Sequence, residues 1–407
     1  MPNDLLALAI FGATYLFLAL GRVRGLALDR TGFALLGAVA FLAADRISLA
    51  DAKDAVDAPT LVVLFGMMLL SAQYQLSGLY DAIGHRLTRV AGPRRLLAGT
   101  IAVSALLAAV LTNDVVCFAL TPLLGRALLR TRLDPLPYLL AIACATNIGS
   151  ALTPIGNPQN ILVAQAMSLP FAPFVAVCAP PVLLALLATY LLIAPRLRER
   201  EGPPPEATAG GEDLPLDRRQ SVKAVLLTGA AILLFLTPTA AHLTALAVAG
   251  VVLTSRRMHT RTMLGLVDWQ MLALFASLFV VTRGLELSGW TETARQALAA
   301  AGLPLENPPV LLGVAAVAGN LVGNVPAVML LLRFLPADPA SGYALALAST
   351  FAGNALLVGS VANLIVAERA AAIGIDLSWR THLRVGLPVT LVSLAIAGLW
   401  LAFLAGV

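Results

Sequence analysis

The chain has 407 residues, of which 59% are hydrophobic and 12% are charged, and its formal net charge is +5. It has too few charged side chains to cover the surface of a soluble globule of this size. Apolar segments of roughly 17 to 25 residues, long enough to cross a bilayer, recur along it. The composition therefore excludes a soluble protein and predicts an all-α polytopic membrane protein. The arginines are scattered through short loops, where membrane orientation explains them, and no nucleic-acid partner is expected.

The first apolar segment is DLLALAIFGATYLFLALGRVR, in which the arginines follow the apolar run. A secretory signal peptide has the reverse order, so we predict an uncleaved first membrane helix. The three cysteines, Cys117, Cys144 and Cys178, lie in apolar runs without metal-ligand spacing. They are expected to be small buried hydrophobic residues, with no disulfide, metal site or bound cofactor.

Full membrane spans are predicted at 4-20, 31-47, 59-77, 136-169, 174-194, 222-239, 241-255, 270-287, 341-368 and 385-405. Two more apolar stretches, 96-124 and 308-335, have polar, helix-breaking centres with the sequences LTNDVV and VGNVPA. Such a centre indicates a re-entrant hairpin, which dips to the middle of the membrane and returns to the same side.

The distribution of basic residues supports this topology. With both stretches as hairpins and a periplasmic N-terminus, nearly all of the 27 Lys and Arg residues fall on the cytoplasmic side. The exceptions are Arg46, Lys53, Arg283, Arg295 and Arg333. The positive-inside rule therefore favours two hairpins and periplasmic N- and C-termini, in what we expect to be a bacterial inner membrane.

The segment 195-221 is rich in Pro, Gly and charged residues and divides the chain almost in half. We predict that it is a cytoplasmic linker between a first repeat, 1-194, and a second, 222-407. Because the first repeat starts outside and the second inside, the two have inverted topology. Each repeat contains one hairpin and one broken helix, 136-169 in the first and 341-368 in the second.

Local sequence matches support the repeat. The stretch LFGMMLLSAQYQLSG resembles LFASLFVVTRGLELSG in the second half, and GNPQNILVA resembles GSVANLIVA. The distance along the chain from Gly78 to Asn113 equals that from Gly289 to Asn324. The predicted fold is therefore two inverted-topology repeats with about ten spanning helices, two re-entrant hairpins and broken helices at the midplane, an arrangement typical of secondary transporters.

Four helix breaks, at 112-114, 149-160, 323-326 and 353-363, are predicted to converge at the midplane. Their free helix N-termini attract anions, and their free carbonyl groups coordinate cations. The alternative is that their polar groups only cap one another. The candidate substrate- and ion-binding residues are Thr112, Asn113, Asp114, Thr146, Asn147, Thr153, Gly156, Asn157, Pro158, Gln159, Asn160, Gly323, Asn324, Gly353, Asn354, Gly359 and Asn363.

Asp114 is the one acidic residue predicted at mid-depth in the membrane, and its repeat counterpart is Val325. An ionisable group at that depth indicates a proton carrier or a cation ligand. We predict that Asp114 couples protons, with a sodium site near Asn113, Asp114 and Asn157 as the alternative. A purely structural carboxylate, held by neighbouring hairpin amides, is the remaining possibility.

The sequence lacks the parts of an enzyme. Its four histidines, His85, His242, His259 and His382, form no HExxH pair, and no GxSxG elbow occurs. An ion channel needs a continuous lined pore, whereas inverted halves with paired hairpins suit alternating access. A secondary transporter is therefore predicted over both alternatives.

The motifs LTNDVVCFALTPLL, LVGNVPAVMLLL and TPIGNPQN resemble the ion transporter superfamily, and within it the arsenite permease and NhaD-type sodium/proton antiporter branch. The divalent anion/sodium symporters are related to this branch. The resemblance implies that 112-114 and 323-325 form the hairpin tips and that the loops around Asn157 and Asn354 complete the site. It also implies a homodimer in which hairpins and broken helices move as an elevator.

The sequence departs from the Ser-Asn-Thr tips of dicarboxylate transporters. The first tip, TND, places a carboxylate beside the substrate, and the second, GNV, has no hydroxyl group. A fixed negative charge beside a dianion is unfavourable unless it is protonated or paired. We therefore predict proton-coupled efflux of arsenite or antimonite, which are mostly neutral hydroxides near neutral pH. Sodium/proton exchange and cation-coupled transport of a di- or tricarboxylate or other anion are the alternatives.

Overall fold

The computed structural model describes residues 4–21, 23, 25–90, 92–131, 133–198, 215–255, 257–336 and 338–406. These residues form twenty α-helices, ten in each half. The helices of the first half are α1 (Leu5–Leu20), α2 (Arg30–Ala43), α3 (Leu49–Ala55), α4 (Ala58–Leu76), α5 (Leu79–Thr88), α6 (Pro93–Val110), α7 (Asn113–Leu129), α8 (Leu136–Ser150), α9 (Pro158–Ala166) and α10 (Phe171–Ile193). The helices of the second half are α11 (Arg218–Phe235), α12 (Ala241–Leu253), α13 (Thr260–Leu264), α14 (Trp269–Leu287), α15 (Trp290–Ala300), α16 (Pro308–Val322), α17 (Asn324–Leu331), α18 (Pro339–Ala352), α19 (Val361–Ala371) and α20 (Trp379–Ala405).

The apolar helices are long enough for a membrane protein. Among the described residues, α4, α6, α10, α14 and α20 each have the length and mean hydropathy of a bilayer-spanning helix. Five shorter apolar helices, α1, α2, α8, α12 and α16, accompany them. The broken spans are divided between two helices each, which is why α8 is short. The chain is an integral membrane protein with an all-helical fold.

Several boundaries differ from the sequence prediction. The short helices α3, α5, α13 and α15 were not predicted, because they are too short or too polar to resemble a span. The helix α20 begins at Trp379, before the predicted start, because Ser378 caps it by accepting from the Thr381 amide. Most of the predicted linker, 199–214, lies outside the described residues, and α11 begins within its last residues after the cap residue Asp217.

The two halves correspond helix by helix, and the packing follows the same correspondence. The helix α2 packs against α14, and its counterpart α12 packs against α4. The second arm of the first hairpin, α7, packs against α19, while the second arm of the other hairpin, α17, packs against α9. The last helices of the two halves, α10 and α20, pack against each other. The second arm of each hairpin therefore packs against the broken helix of the opposite half, while the first arm packs against the broken helix of its own half.

Each hairpin consists of two helices joined by a sharp tip. The helices α6 and α7 meet at Leu111 and Thr112, where the backbone is extended. The helices α16 and α17 meet at Gly323, whose φ of 98° lies in the region that glycine adopts without strain. The backbone N–H of Asn113 donates to the carbonyl of Gly156, 3.3 Å away, inside the broken helix α8–α9. The first hairpin therefore ends at the depth of that break.

The broken helices lie at the centre of the fold. From Pro137 to its end at Ser150, every residue of α8 is buried, including the polar residues at its C-terminus. Nearly all of α18 is buried as well. A helix that is apolar on all sides needs protein around its whole circumference, and the hairpins and α10 or α20 supply it. This position gives the breaks protein partners instead of lipid.

Close packing between the halves depends on a glycine in α4. A Cβ atom at Gly66 would lie 2.6 Å from the carbonyl oxygen of Ala245 in α12. Because that neighbour is backbone, the helices must separate to admit a methyl group. We expect Gly66→Ala to destabilise the protein by about 1 to 3 kcal/mol.

Thermal unfolding of the purified protein in detergent measures this effect. The matched control is Gly250→Ala in the partner helix α12, where no atom lies within 4 Å of the added Cβ. Equal unfolding midpoints for the two variants would contradict the proposed close contact.

Candidate functional site

A cavity of about 80 Å³ lies where the two hairpin tips meet the two broken helices. The first tip contributes Asn113 and Asp114, and the second contributes the segment from Val322 to Pro326. The first residues of α9 and α19 form another side, and Arg30 of α2 and Met271 of α14 complete the wall. The cavity therefore brings together parts of both repeats that are far apart in sequence.

Four helices begin at the cavity wall. Their first residues are Asn113 in α7, Pro158 in α9, Asn324 in α17 and Val361 in α19, and all four line the cavity. A helix N-terminus carries a partial positive charge and unpaired N–H groups. Together, the four N-termini favour ligands that present oxygen atoms.

Both tip asparagines offer an unused acceptor. Asn113 is 4% exposed, and its amide nitrogen donates to Asn147 Oδ1 at 3.1 Å. The Oδ1 atoms of Asn113 and Asn324 are buried and receive no hydrogen bond from any described residue. A buried acceptor without a donor costs about 1 to 3 kcal/mol. A ligand or water molecule with O–H groups that reached these oxygens would satisfy both.

Asp114 lies in the first turn of α7 and lines the same cavity. Its carboxylate has no hydrogen-bond or ion-pair partner among the described residues. The structural alternative raised by the sequence, a carboxylate held by hairpin amides, therefore does not describe this geometry.

Asn147, three residues before the end of α8, connects the two halves. Its Oδ1 accepts from Asn113 Nδ2 and from Ser360 Oγ, both at 3.1 Å. Its Nδ2 donates to Asn354 Oδ1 at 2.9 Å and to Asn363 Oδ1 at 3.1 Å. All of these side chains are buried. We call the side chains of Asn147, Asn113, Ser360, Asn354 and Asn363 the amide network. Through Asn147, this network links the first tip to the second broken helix.

Asn160 and Asn363 bond carbonyl groups in the same way, each within its own helix break. Asn160 Nδ2 donates to the carbonyl groups of Ser150 and Thr153, at 3.2 and 3.1 Å. Asn363 Nδ2 donates to the carbonyl groups of Gly353 and Leu356, at 2.7 and 3.1 Å. The acceptors lie at equal sequence distances before each asparagine. These bonds satisfy carbonyl groups that the helix breaks leave free. Their equal spacing agrees with the repeat relation between the two halves.

Other candidate residues of the first break lie beside the cavity and hold the backbone. Asn157 caps α9 by accepting from the Asn160 amide at 2.8 Å, and its Nδ2 donates to Ser150 Oγ and Thr350 Oγ1. Thr153 donates its hydroxyl to the carbonyl of Ala109 in α6. These contacts explain how the break keeps its shape.

The remaining candidates are placed as follows. Thr146 donates its hydroxyl to the carbonyl of Ile142, one turn earlier in its own helix. Thr112 is buried at the first tip, and no described residue bonds its hydroxyl oxygen. A Cβ atom at Gly156 would lie 2.3 Å from the carbonyl oxygen of Ser150, so a larger residue would displace the loop.

Glycines in the second break make room for asparagines of the second hairpin. A Cβ at Gly353 would lie 2.8 Å from Asn324 Nδ2, and one at Gly359 would lie 2.4 Å from Asn320 Oδ1. Gly359 also lines the cavity. Among the candidate residues, the structure thus places Asn113, Asp114, Pro158, Gln159, Gly323, Asn324 and Gly359 at the cavity, and the others behind it.

Two polar residues that line the cavity, Arg30 and Ser360, were not among the sequence candidates. Ser360 is the repeat counterpart of Asn157 in the alignment of GNPQNILVA with GSVANLIVA, so this alignment could have identified it. Arg30 directly precedes the predicted span 31-47, where the positive-inside rule already explained its charge. Only the folded chain shows that its side chain reaches the cavity.

The described residues contain no cluster of the side chains that usually bind a metal ion tightly. Among the residues that the structure describes, no group of three His, Cys, Asp or Glu side chains lies close enough to hold one. Asn157, a member of the predicted sodium site, does not line the cavity that contains Asn113 and Asp114. Its amide oxygen caps α9 instead.

Inverted repeats whose hairpin tips and broken helices line a small shared cavity define a secondary active transporter. A family model described as the citrate transporters, CitMHS, matches residues 15–343. The chain belongs to this family, which is part of the ion transporter superfamily. The finer arsenite permease and NhaD-type branch is not distinguished by this match.

Named relatives match nearly the whole chain. The silicon efflux transporter LSI3 of Oryza sativa subsp. japonica is 27% identical, over 97% of both chains. The inner membrane protein YbiR of Escherichia coli K12 is 32% identical, over 81% of this chain and 84% of its own length. The 46 kDa membrane protein of Mycobacterium leprae is 25% identical, over 98% of this chain and 99% of its own.

Solved transporter structures share the fold. The YdaH transporter of Alcanivorax borkumensis superposes with a TM-score of 0.63 at 17% identity, covering 99% of this chain and 97% of its own. MtrF of Neisseria gonorrhoeae superposes with a TM-score of 0.61 at 13% identity, covering 99% and 95%. At these identities the likeness establishes the architecture alone.

Proposed function

We propose that this protein exports a small neutral oxyacid, of the arsenous or antimonous acid type, in exchange for protons. The observation that carries the proposal is the pair of buried, unused acceptors on the hairpin tips, Asn113 Oδ1 and Asn324 Oδ1. A neutral hydroxide brings O–H donors to these acceptors. A fully ionised carboxylate has no such donors and would leave both oxygens unsatisfied.

The size of the cavity supports a small substrate. A volume of 80 Å³, at roughly 15 Å³ for each water-sized position, holds about five such positions. A central atom with its hydroxyl groups fills this space. A tricarboxylate is much larger and would require the tips and breaks to move apart.

The position of Asp114 suggests how transport is coupled. The ionised carboxylate accepts hydrogen bonds from the hydroxyl groups of the substrate, whereas the protonated form has lost part of its acceptor capacity. Proton and substrate therefore compete for one site, and each lowers the affinity for the other. Competition of this kind gives exchange, in which entering protons drive the substrate out.

The relatives favour the same direction and chemistry. The name of the rice relative assigns it silicon efflux, and silicic acid, like arsenous acid, is a neutral hydroxide near neutral pH. The family description names citrate instead, which makes cation-coupled carboxylate transport the second candidate. Sodium/proton exchange is supported less, because Asn157 is engaged in capping α9.

We further propose that the protein lies in a bacterial inner membrane with both termini periplasmic. The distribution of Lys and Arg supports this orientation, and the name of the E. coli relative places that protein in an inner membrane. Elevator movement of the hairpins and dimerisation through the remaining helices are part of the proposal.

Flux measurements in proteoliposomes test the proposed function. With an inward proton gradient, we expect saturable, gradient-dependent movement of arsenite or antimonite in the opposite direction. Parallel vesicles contain silicic acid, labelled sodium or citrate. Sodium- or citrate-dependent transport without oxyacid transport would overturn the proposal, and flux that does not saturate would indicate a channel. Empty liposomes correct for passive leakage of the neutral acid.

A further inference from the structure

Arg30 is the first residue of α2, and its side chain lines the cavity between the tips. Two glycine positions locate its guanidinium group. A Cβ atom added at Gly323, in the second tip, would lie 3.6 Å from Nη1. One added at Gly21, just after α1, would lie 3.7 Å from Nε. The guanidinium group therefore lies between the end of α1 and the second tip.

Some arginines near helix ends form ion pairs with carboxylates. Arg46 lies 2.8 Å from Asp4, and Arg333 lies 3.0 Å from Glu286. Arg30 forms no ion pair with any described residue. The neighbouring carboxylate of Asp29 is used otherwise, because it accepts from the Gly32 amide at 2.8 Å and caps α2. A partly buried cation without a counter-charge is costly unless a ligand supplies one.

Stabilising the C-terminus of α1 explains only part of this position. The negative end of that helix dipole lies at Gly21, beside Nε of Arg30. The other end of the guanidinium group, Nη1, lies near the second tip, and Arg30 is among the residues that line the cavity. There it joins the four helix N-termini, which also carry partial positive charge, and the single carboxylate of Asp114.

We propose that Arg30 is a substrate-contacting residue that selects oxyacids and their singly charged oxyanions over bare cations. The planar guanidinium group donates two parallel hydrogen bonds, which match two oxygen atoms on one central atom. Asn113 and Asn324 accept from the hydroxyl groups on the opposite side of the ligand. The guanidinium group repels a bare cation such as sodium. The inference rests on the proposed function as far as the identity of the substrate is concerned. The expected affinity of the cavity for anions does not depend on the proposed function.

The test compares Arg30→Gln and Arg30→Lys with the unaltered protein. For Arg30→Gln, we expect the KM for arsenite to rise about ten- to a hundred-fold while the maximal rate changes little, since hydrogen bonds to a charged group are lost. Arg30→Lys is expected to lie between, because it keeps the charge and loses the paired donors. Small oxyanions, with nitrate and bicarbonate as probes, are expected to stabilise the unaltered protein against thermal unfolding and to have no such effect on Arg30→Gln.

Arg295→Gln is the matched control, since it removes an exposed guanidinium group that pairs with Glu292 on α15, outside the cavity. It should keep the original KM and the oxyanion effect. If Arg30→Gln binds substrate and probe anions like the unaltered protein and is only less stable, Arg30 is structural and the inference is overturned. If Arg30→Gln does not fold, an unchanged KM in Arg30→Lys overturns it equally. If arsenite is not transported but nitrate stabilisation still requires Arg30, the proposed substrate fails and the inference stands.

Discussion

Asp114→Asn is expected to abolish proton-driven transport while leaving a folded protein. The asparagine side chain keeps the shape of the carboxylate but cannot bind and release a proton, so proton and substrate no longer compete. Loss of the charged acceptor should also weaken substrate affinity about ten- to a hundred-fold. The carboxylate has no described partner, so the substitution breaks no internal contact of the first tip.

Proteoliposomes with and without a proton gradient measure this effect. In the variant, substrate flux should be independent of pH and should only follow the substrate gradient. Asp338→Asn is the control, because Asp338 lies outside the cavity and caps α18 by accepting from the Ser341 amide at 3.0 Å, and asparagine caps helices equally well. An Asp114→Asn variant with the original pH dependence would exclude the coupling role of Asp114.

Asn147→Ala is expected to cause the largest loss of stability. It removes both acceptor and donor groups of the amide network and leaves polar atoms of Asn113, Ser360, Asn354 and Asn363 without their partner. Each orphaned buried group costs about 1 to 3 kcal/mol, so the total loss should be on the order of 4 kcal/mol. Because the network joins the two halves, transport should fail even in the fraction that folds.

The thermal unfolding midpoint and the yield of monodisperse protein measure this loss. Asn147→Asp is a second variant of nearly equal shape, which turns the two donated hydrogen bonds into repulsion between oxygen atoms and adds a buried charge. It should be at least as unstable. The control is Asn307→Ala, at an exposed position whose side chain forms no capping bond with α16. If Asn147→Ala and this control have the same thermal unfolding midpoint, the amide network is not important for stability.

The architecture could be predicted because each of its features has a local sequence signal. A membrane segment with a polar centre must hide its free backbone groups, so TNDVV and GNVPA predict hairpin tips. The equal spacing before Asn113 and Asn324 relates the tips to each other. Such signals depend on composition and on distance along the chain, and neither requires knowledge of tertiary contacts.

The roles within the candidate site could not be separated in this way. Asn113 and Asn160 have the same side chain and both occur at helix breaks. Asn113 lines the cavity, whereas Asn160 bonds carbonyl groups of its own loop. The difference arises from the direction of each side chain after the helices have packed. Short amphipathic helices such as α5 were missed because their packing stabilises them more than their own sequence does.

The sequence by itself determined the class of the protein, since hydrophobic length, charge distribution and the inverted repeat each reflect the demands of a bilayer on a single chain. Only the tertiary structure decided which residues surround the cavity. Arg30 joins it from the start of α2, at a position where nothing in the local sequence marks it. Ser360 joins it just before α19, and only its alignment with Asn157 in the first half relates it to the site. The physical reason is that the site forms between the two halves, so its members are defined by contacts across the molecule.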